Sequence, residues 1–149
     1  GFFTQRRERR VDELFAPLSA REASLKSPLS LALLGDTVWD LLIRRELLAT
    51  QKNAGALHRA AVLRVNAHAQ RQVMDKLSPL LTPDEADIAR RGQNAHAHHA
   101  APKNQDPVDY SRATALEALV GYLYLSGQRE RLAALYRAAI SQKEDEPDA

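Results

Sequence analysis

Ser27-Pro28-Leu29-Ser30-Leu31-Ala32-Leu33-Leu34-Gly35-Asp36-Thr37-Val38-Trp39-Asp40 reads as a helix start followed by a buried helix. Ser27 is a natural N-cap, and Pro28 suits the first helical position because its missing N–H would be unpaired there anyway. The apolar residues continue through Leu41, Leu42 and Ile43, which predicts a helix to about Leu48. It is apolar nearly all round, so it is expected to be central and buried. Asp36 sits in its middle. Asp is a poor helix-interior residue, and its charge is costly to bury without a partner.

A second stretch repeats the pattern. Ala113, Ala115, Leu116, Ala118, Leu119, Val120, Tyr122, Leu123, Tyr124 and Leu125 surround Glu117. Each acid has a glycine close by: Gly35 precedes Asp36, and Gly121 follows Glu117 by one helical turn. A glycine inside a helix costs up to about 1 kcal/mol relative to alanine, a cost tolerated where two backbones must approach. The two helices are therefore expected to cross at their glycines and bring Asp36 and Glu117 together. Converging carboxylates repel, a metal ion relieves the repulsion, and oxygen ligands suit Mg²⁺. The alternative is that each acid pairs with an arginine, with Arg44, Arg45, Arg64 and Arg112 as candidates. Asp40, one turn after Asp36, either shares its face or pairs with Arg44.

The remaining segments are helical in period, and no alternating β-branched runs occur. Helices are predicted over about Arg6–Phe15, Leu57–Lys76, a capping-box segment Thr82-Pro83-Asp84-Glu85 running to about Arg91, a helix capped by Asp109 or Ser111, and Glu130–Ser141. Gly92 to Pro107 reads as a long loop, often functional in a compact domain. The 149 residues suit one domain, with 44% hydrophobic and 27% charged residues. The absence of cysteine excludes disulfides, thiolate metal sites and cysteine catalysis. No apolar run approaches the roughly 20 residues that span a bilayer, so no membrane partner is expected. Net charge is +2, but the tail Lys143–Ala149 holds one positive and four negative charges, which leaves +5 on the remainder. A basic body is compatible with a polyanion partner.

At these residues a family resemblance appears. Ser27 to Asp40 resembles the signature helix of the ribonuclease III family, and specifically its Mini-ribonuclease III branch. Ala113 to Leu125 is similar to that family's second acidic motif. Leu57-His58-Arg59, Ala67-His68-Ala69-Gln70, Arg90-Arg91-Gly92-Gln93-Asn94-Ala95-His96 and Pro102-Lys103-Asn104 look like further motifs of the branch, in order. The resemblance spans about Ser27 to Ile140. It implies an all-α ribonuclease III endonuclease-domain-like helical bundle with no double-stranded RNA-binding domain, working as a homodimer that cuts both strands of an RNA duplex. It also implies Mg²⁺ as cofactor, with Mn²⁺ as a substitute, and Asp36 and Glu117 as catalytic and metal-associated acids. The substrate implied is a precursor of large-subunit ribosomal RNA, presented in some settings by a ribosomal protein. Larger relatives carry further acids where this chain has Ala32 and Thr114, a reduction the branch shares. Gln93, His96 and Trp39 stand where the family usually has Arg, Lys and Tyr.

Duplex RNA is read by shape through phosphates and 2′-hydroxyls, so a binder needs spread cations and amides. Arg90, Arg91, Asn94, His96, Lys103 and Asn104 around the long loop, with Lys52 and Asn53 in another loop, are the candidates for RNA contact. For any one of them an ordinary solvated surface is the bland alternative. His96, His98 and His99 match no standard zinc spacing. The expected layout is a partly helical N-terminal extension over residues 1–26, the catalytic domain over 27–142, and a disordered acidic tail over 143–149. A cytoplasmic location is expected, or an organellar one if a targeting segment precedes the extension. A catalytically inactive relative, serving as an RNA-binding or structural subunit of a ribonucleoprotein, is the alternative function.

Overall fold

The computed structural model describes residues 1–95 and 101–141, with the backbone alone for residues 6–11. The helices are α1 (Phe2–Phe15), α2 (Ala20–Ser24), α3 (Pro28–Leu48), α4 (Ala54–Val65), α5 (Ala67–Leu77), α6 (Pro83–Asn94), α7 (Pro107–Leu125) and α8 (Arg129–Ile140), with a short 3-10 turn at Ser78–Leu80. No strand occurs among the described residues. The all-α expectation holds.

Helix α7 is the axis of the bundle, with α3, α5 and α6 packed against it and α2 and α8 adding smaller contacts. Ala115, Leu116, Ala118, Leu119 and Leu123 on α7 are wholly buried. Burying a leucine of this kind contributes about 1.5–3 kcal/mol. Leu31, Val38, Trp39 and Ile43 of α3 pack into the same core. Trp39 meets Tyr136 of α8 edge-on, with ring centroids 5.3 Å apart.

The caps explain the helix starts. Ser27 Oγ accepts from the Ser30 amide, with Pro28 next in line. Thr82 and Glu85 complete the capping box that the sequence announces. Asp106, rather than Asp109 or Ser111, caps α7 by accepting from the amides of Val108 and Asp109, and Pro107 takes the first helical position.

Three further expectations change. The helix expected over 57–76 is two helices, broken at Asn66, whose backbone is extended. The Asn66 side chain serves both: its Nδ2 donates to the carbonyls of Val62 and Leu63, and its Oδ1 accepts from the amide of Ala69. Gly92 is not in a loop. It lies inside α6, where a Cβ would come within 2.7 Å of the Ala118 Cβ and 3.1 Å of the Thr114 carbonyl oxygen. Helix α3 is not buried all round, since Leu33, Leu41 and Leu48 are exposed. Residues 18–26 also pack on the bundle. Leu18 donates its amide to the Leu125 carbonyl, and Ala23 is wholly buried. His96, His98, His99 and the acidic tail 143–149 lie outside the described residues.

Candidate active site

The crossing of α3 and α7 builds the site. A Cβ on Gly35 would run into the carbonyl oxygen of Glu117 and lie 2.7 Å from the Gly121 nitrogen. A Cβ on Gly121 would run into the Leu31 carbonyl and lie 3.1 Å from the Gly35 nitrogen. Only glycine permits this approach, and the approach sets Asp36 and Glu117 on one wall. Both line an open cavity of about 400 Å³, together with Ala32, Leu33, Val65, Ala67, Gln70, Gln105, Tyr110 and Thr114.

Asp36 is exposed at the cavity, not buried as its helix context suggested, while Glu117 is half-buried. Burial first, and then the charge of Asp36, push the Glu117 carboxyl up to about 8. Burial, and then the charge of Asp40, raise the Asp36 carboxyl above its ordinary value. Among the described residues no ion pair or hydrogen bond engages either side chain. Three of the four candidate arginines are used elsewhere. Arg44 pairs with Asp40 at 2.8 Å and Arg64 with Glu46 at 3.1 Å. Arg112 holds Asp75 at 2.8 Å and also donates to Gln93 and Ser78. Asp40 is thus the arginine-paired acid, and Gln93 is a helix-packing residue that accepts from Arg112.

Two carboxylate groups without counter-cations, partly withdrawn from water, suit a hard divalent cation. Among the described residues no group of three or more His, Asp or Glu side chains is placed to hold a metal ion. The positions that could have supplied further acids, Ala32 and Thr114, also line the cavity. The Thr114 hydroxyl donates to the Tyr110 carbonyl. A cation here would rest on two protein acids and its own waters, the habit of Mg²⁺.

The candidate RNA-contact residues are spread wider. Lys103 and Asn104 are exposed in the loop before α7, next to Gln105, which reaches the cavity wall. Asn104 takes a left-handed backbone, φ 69°. Lys52 is exposed, and Asn53 caps α4 through the Ala56 amide. Arg90 is exposed and pairs with Asp87, and Asn94 is exposed at the end of α6. Arg91 donates to the carbonyls of Ser24 and Lys26, so it clamps the α2–α3 turn, and an RNA contact there would compete with these bonds. Sequence reasoning missed Gln70 as a cavity residue. Its place became visible only with the break at Asn66.

The comparisons with known proteins give the class of this all-helical frame and of the acid pair shared by its two crossing helices. Residues 29–128 match the Ribonuclease III domain family. The Mini-ribonuclease 3 of Symbiobacterium thermophilum is 47% identical over 113 residues, 75% of this chain and 86% of the relative. That of Brevibacillus brevis is 42% identical over 127 residues, 85% of this chain and 94% of the relative. A crystal structure of a Fusobacterium nucleatum protein superposes with a TM-score of 0.71 at 31% identity, covering 78% of this chain and 93% of that one. The chain belongs to the ribonuclease III family, in its Mini-ribonuclease III branch.

Proposed function

We propose that this protein is a divalent-metal-dependent endoribonuclease that cleaves double-stranded RNA, with Asp36 and Glu117 as its catalytic and metal-holding acids and a ribosomal RNA precursor as its substrate. The observation that carries the reading is the cavity shared by two acids that no arginine neutralises. Asp36 and Glu117 would hold Mg²⁺, which when bound would supply charge neutralisation and water activation for attack on a phosphodiester. Glu117 must release its proton for the cation to bind, and Asp36 at the exposed rim meets the solvent side. Exposed Lys103, Asn104, Lys52, Asn53, Arg90 and Asn94 supply phosphate contacts, so affinity should fall steeply with added salt.

A homodimer fits this chemistry, because a duplex has two strands and a two-fold pair offers a site for each. The exposed Leu33, Leu41 and Leu48 of α3 and Leu63 of α4 support it.

The test is incubation with duplex and single-stranded RNA, in Mg²⁺ or EDTA, with product ends mapped. Cleavage of duplex alone, in Mg²⁺ alone, is expected. Asp36→Asn and Glu117→Gln should bind duplex and leave it whole. If either variant cuts at the parent rate, the acid assignment fails. Duplex binding by the parent without any cleavage would point to the inactive RNA-binding subunit instead.

A further inference from the structure

The acid cavity has a second polar wall. Val65, Ala67 and Gln70 line it beside Asp36 and Glu117. Asn66 starts α5 between Val65 and Ala67, and among the described residues its Oδ1 accepts only the Ala69 amide. The amides of Ala67 and His68, first in the helix, have no acceptor among the described residues. They carry the positive end of the helix dipole.

A helix start alone would mean only hydration. Gln70 supplies an independent observation. The residue is 2% exposed, and its Nε2 is buried with no hydrogen-bond partner among the described residues. A buried donor without an acceptor is a standing cost to the fold. Such a cost is explicable where a ligand brings the acceptor. Nε2 and the two amides only donate, so the ligand they suit is an acceptor. An anionic oxygen is the acceptor that suits donors of this kind.

We infer that Gln70 Nε2 and the Ala67 and His68 amides form a phosphate-oxygen subsite, which seats one backbone phosphate of the RNA beside the acid pair. The inference rests on the nuclease reading and deepens it. The acids repel a phosphate, and uncharged donors fixed next to them draw it in without neutralising them as an arginine would. The arrangement uses backbone and amide groups and therefore seats any nucleotide.

The test is duplex binding in EDTA, with the parent, Gln70→Met and Gln70→Glu. The ligand is an RNA duplex carrying a single neutral methylphosphonate, moved along successive linkages. Gln70→Met keeps the side chain's length without its donors, and Gln70→Glu keeps its shape and repels phosphate. Expected is a loss of at least about tenfold for Gln70→Met and a larger one for Gln70→Glu, with melting temperatures reported alongside. At one linkage the methylphosphonate should weaken the parent and leave Gln70→Met unaffected. Parent-like affinity of both variants, or the same linkage penalty in parent and Gln70→Met, overturns the subsite. If Gln70→Met does not fold, the linkage comparison with Gln70→Glu decides. Failure of the parent to cut the unmodified duplex in Mg²⁺ would overturn the nuclease reading separately, since the binding arms need no cleavage.

Discussion

Gly35 of α3 lies against the backbone carbonyl of Glu117 on α7, with no room between them for a Cβ. The residue beside one acid is thus in contact with the peptide that carries the other. Gly35→Ala should cost at least about 3 kcal/mol, because the obstacle is backbone and cannot swing aside. Gly121→Ala should behave alike. Gly55→Ala is the control. Its Cβ would meet mainly the Arg59 guanidinium at 3.3 Å, the far end of a flexible side chain, so a gain of up to about 1 kcal/mol is expected. Denaturant midpoints check all three, and equal effects at positions 35 and 55 would refute the crossing.

The crossing was legible in the sequence because a glycine inside an apolar helix is a local cost that needs a tertiary reason. Gly35 and Gly121 each stood beside an acid, and the two signals agreed. Gly92 carries the same signal, yet the sequence there reads as the start of a loop, because polar residues follow it and no apolar period continues past it. The break at Asn66 was hidden for the opposite reason. Apolar residues keep their helical spacing across it, and the interruption is written in one capping side chain. The fate of the arginines was not legible either. Arg112 and Arg91 reach residues 34 and 67 positions away in sequence, contacts that only the packed helices define.

Glu117 makes stability depend on pH. Burial and then Asp36 raise its carboxyl from 4.5 to about 8, so the folded protein keeps a proton that the unfolded chain releases near 4.5. The resulting stability is full below 4.5 and is lost as pH rises to about 8. Asp36 shifts in the same direction. In EDTA, Glu117→Gln should therefore melt higher than the parent at about pH 8, and the gap should close in acid. Mg²⁺ should raise the parent's melting temperature more at about pH 8 than in acid, since the proton competes with the cation. A gap independent of pH would contradict this.

Glu85 is the most buried acid described, 3% exposed, and both its oxygens accept from Arg131 at 2.9 Å. Burial works against its ionisation. The Arg131 hydrogen bonds and the Thr82 amide outweigh burial and hold the carboxyl below its ordinary value. This stability is present above the ordinary carboxyl range and lost as pH falls through the folded value. Arg131→Ala leaves a buried charge alone and should cost about 3 kcal/mol, the low end for such pairs because Arg131 is partly exposed. Thermal melting of Arg131→Ala should show a large loss near neutrality that shrinks in acid. An Arg131→Ala melting temperature equal to the parent's would refute the pairing.

The apolar stripe of α3 predicts self-association. The parent should sediment as a dimer at micromolar concentration, and Leu41→Asp should sediment as a folded monomer. Leu41 is 60% exposed in the single chain, so its replacement should cost little within the monomer. A parent that sediments as a monomer would end the dimer proposal.

Asn66 makes the junction of α4 and α5 intolerant of length change. One extra residue after it would rotate all of α5 by about 100° about its own axis. Gln70 would leave the cavity and Met74 would leave the core in the same movement, and the Arg71 contact with Asp109 would be lost too. A substitution at an exposed position here can be absorbed one side chain at a time, but an insertion would unseat the whole helix, so the junction should stay constant in length.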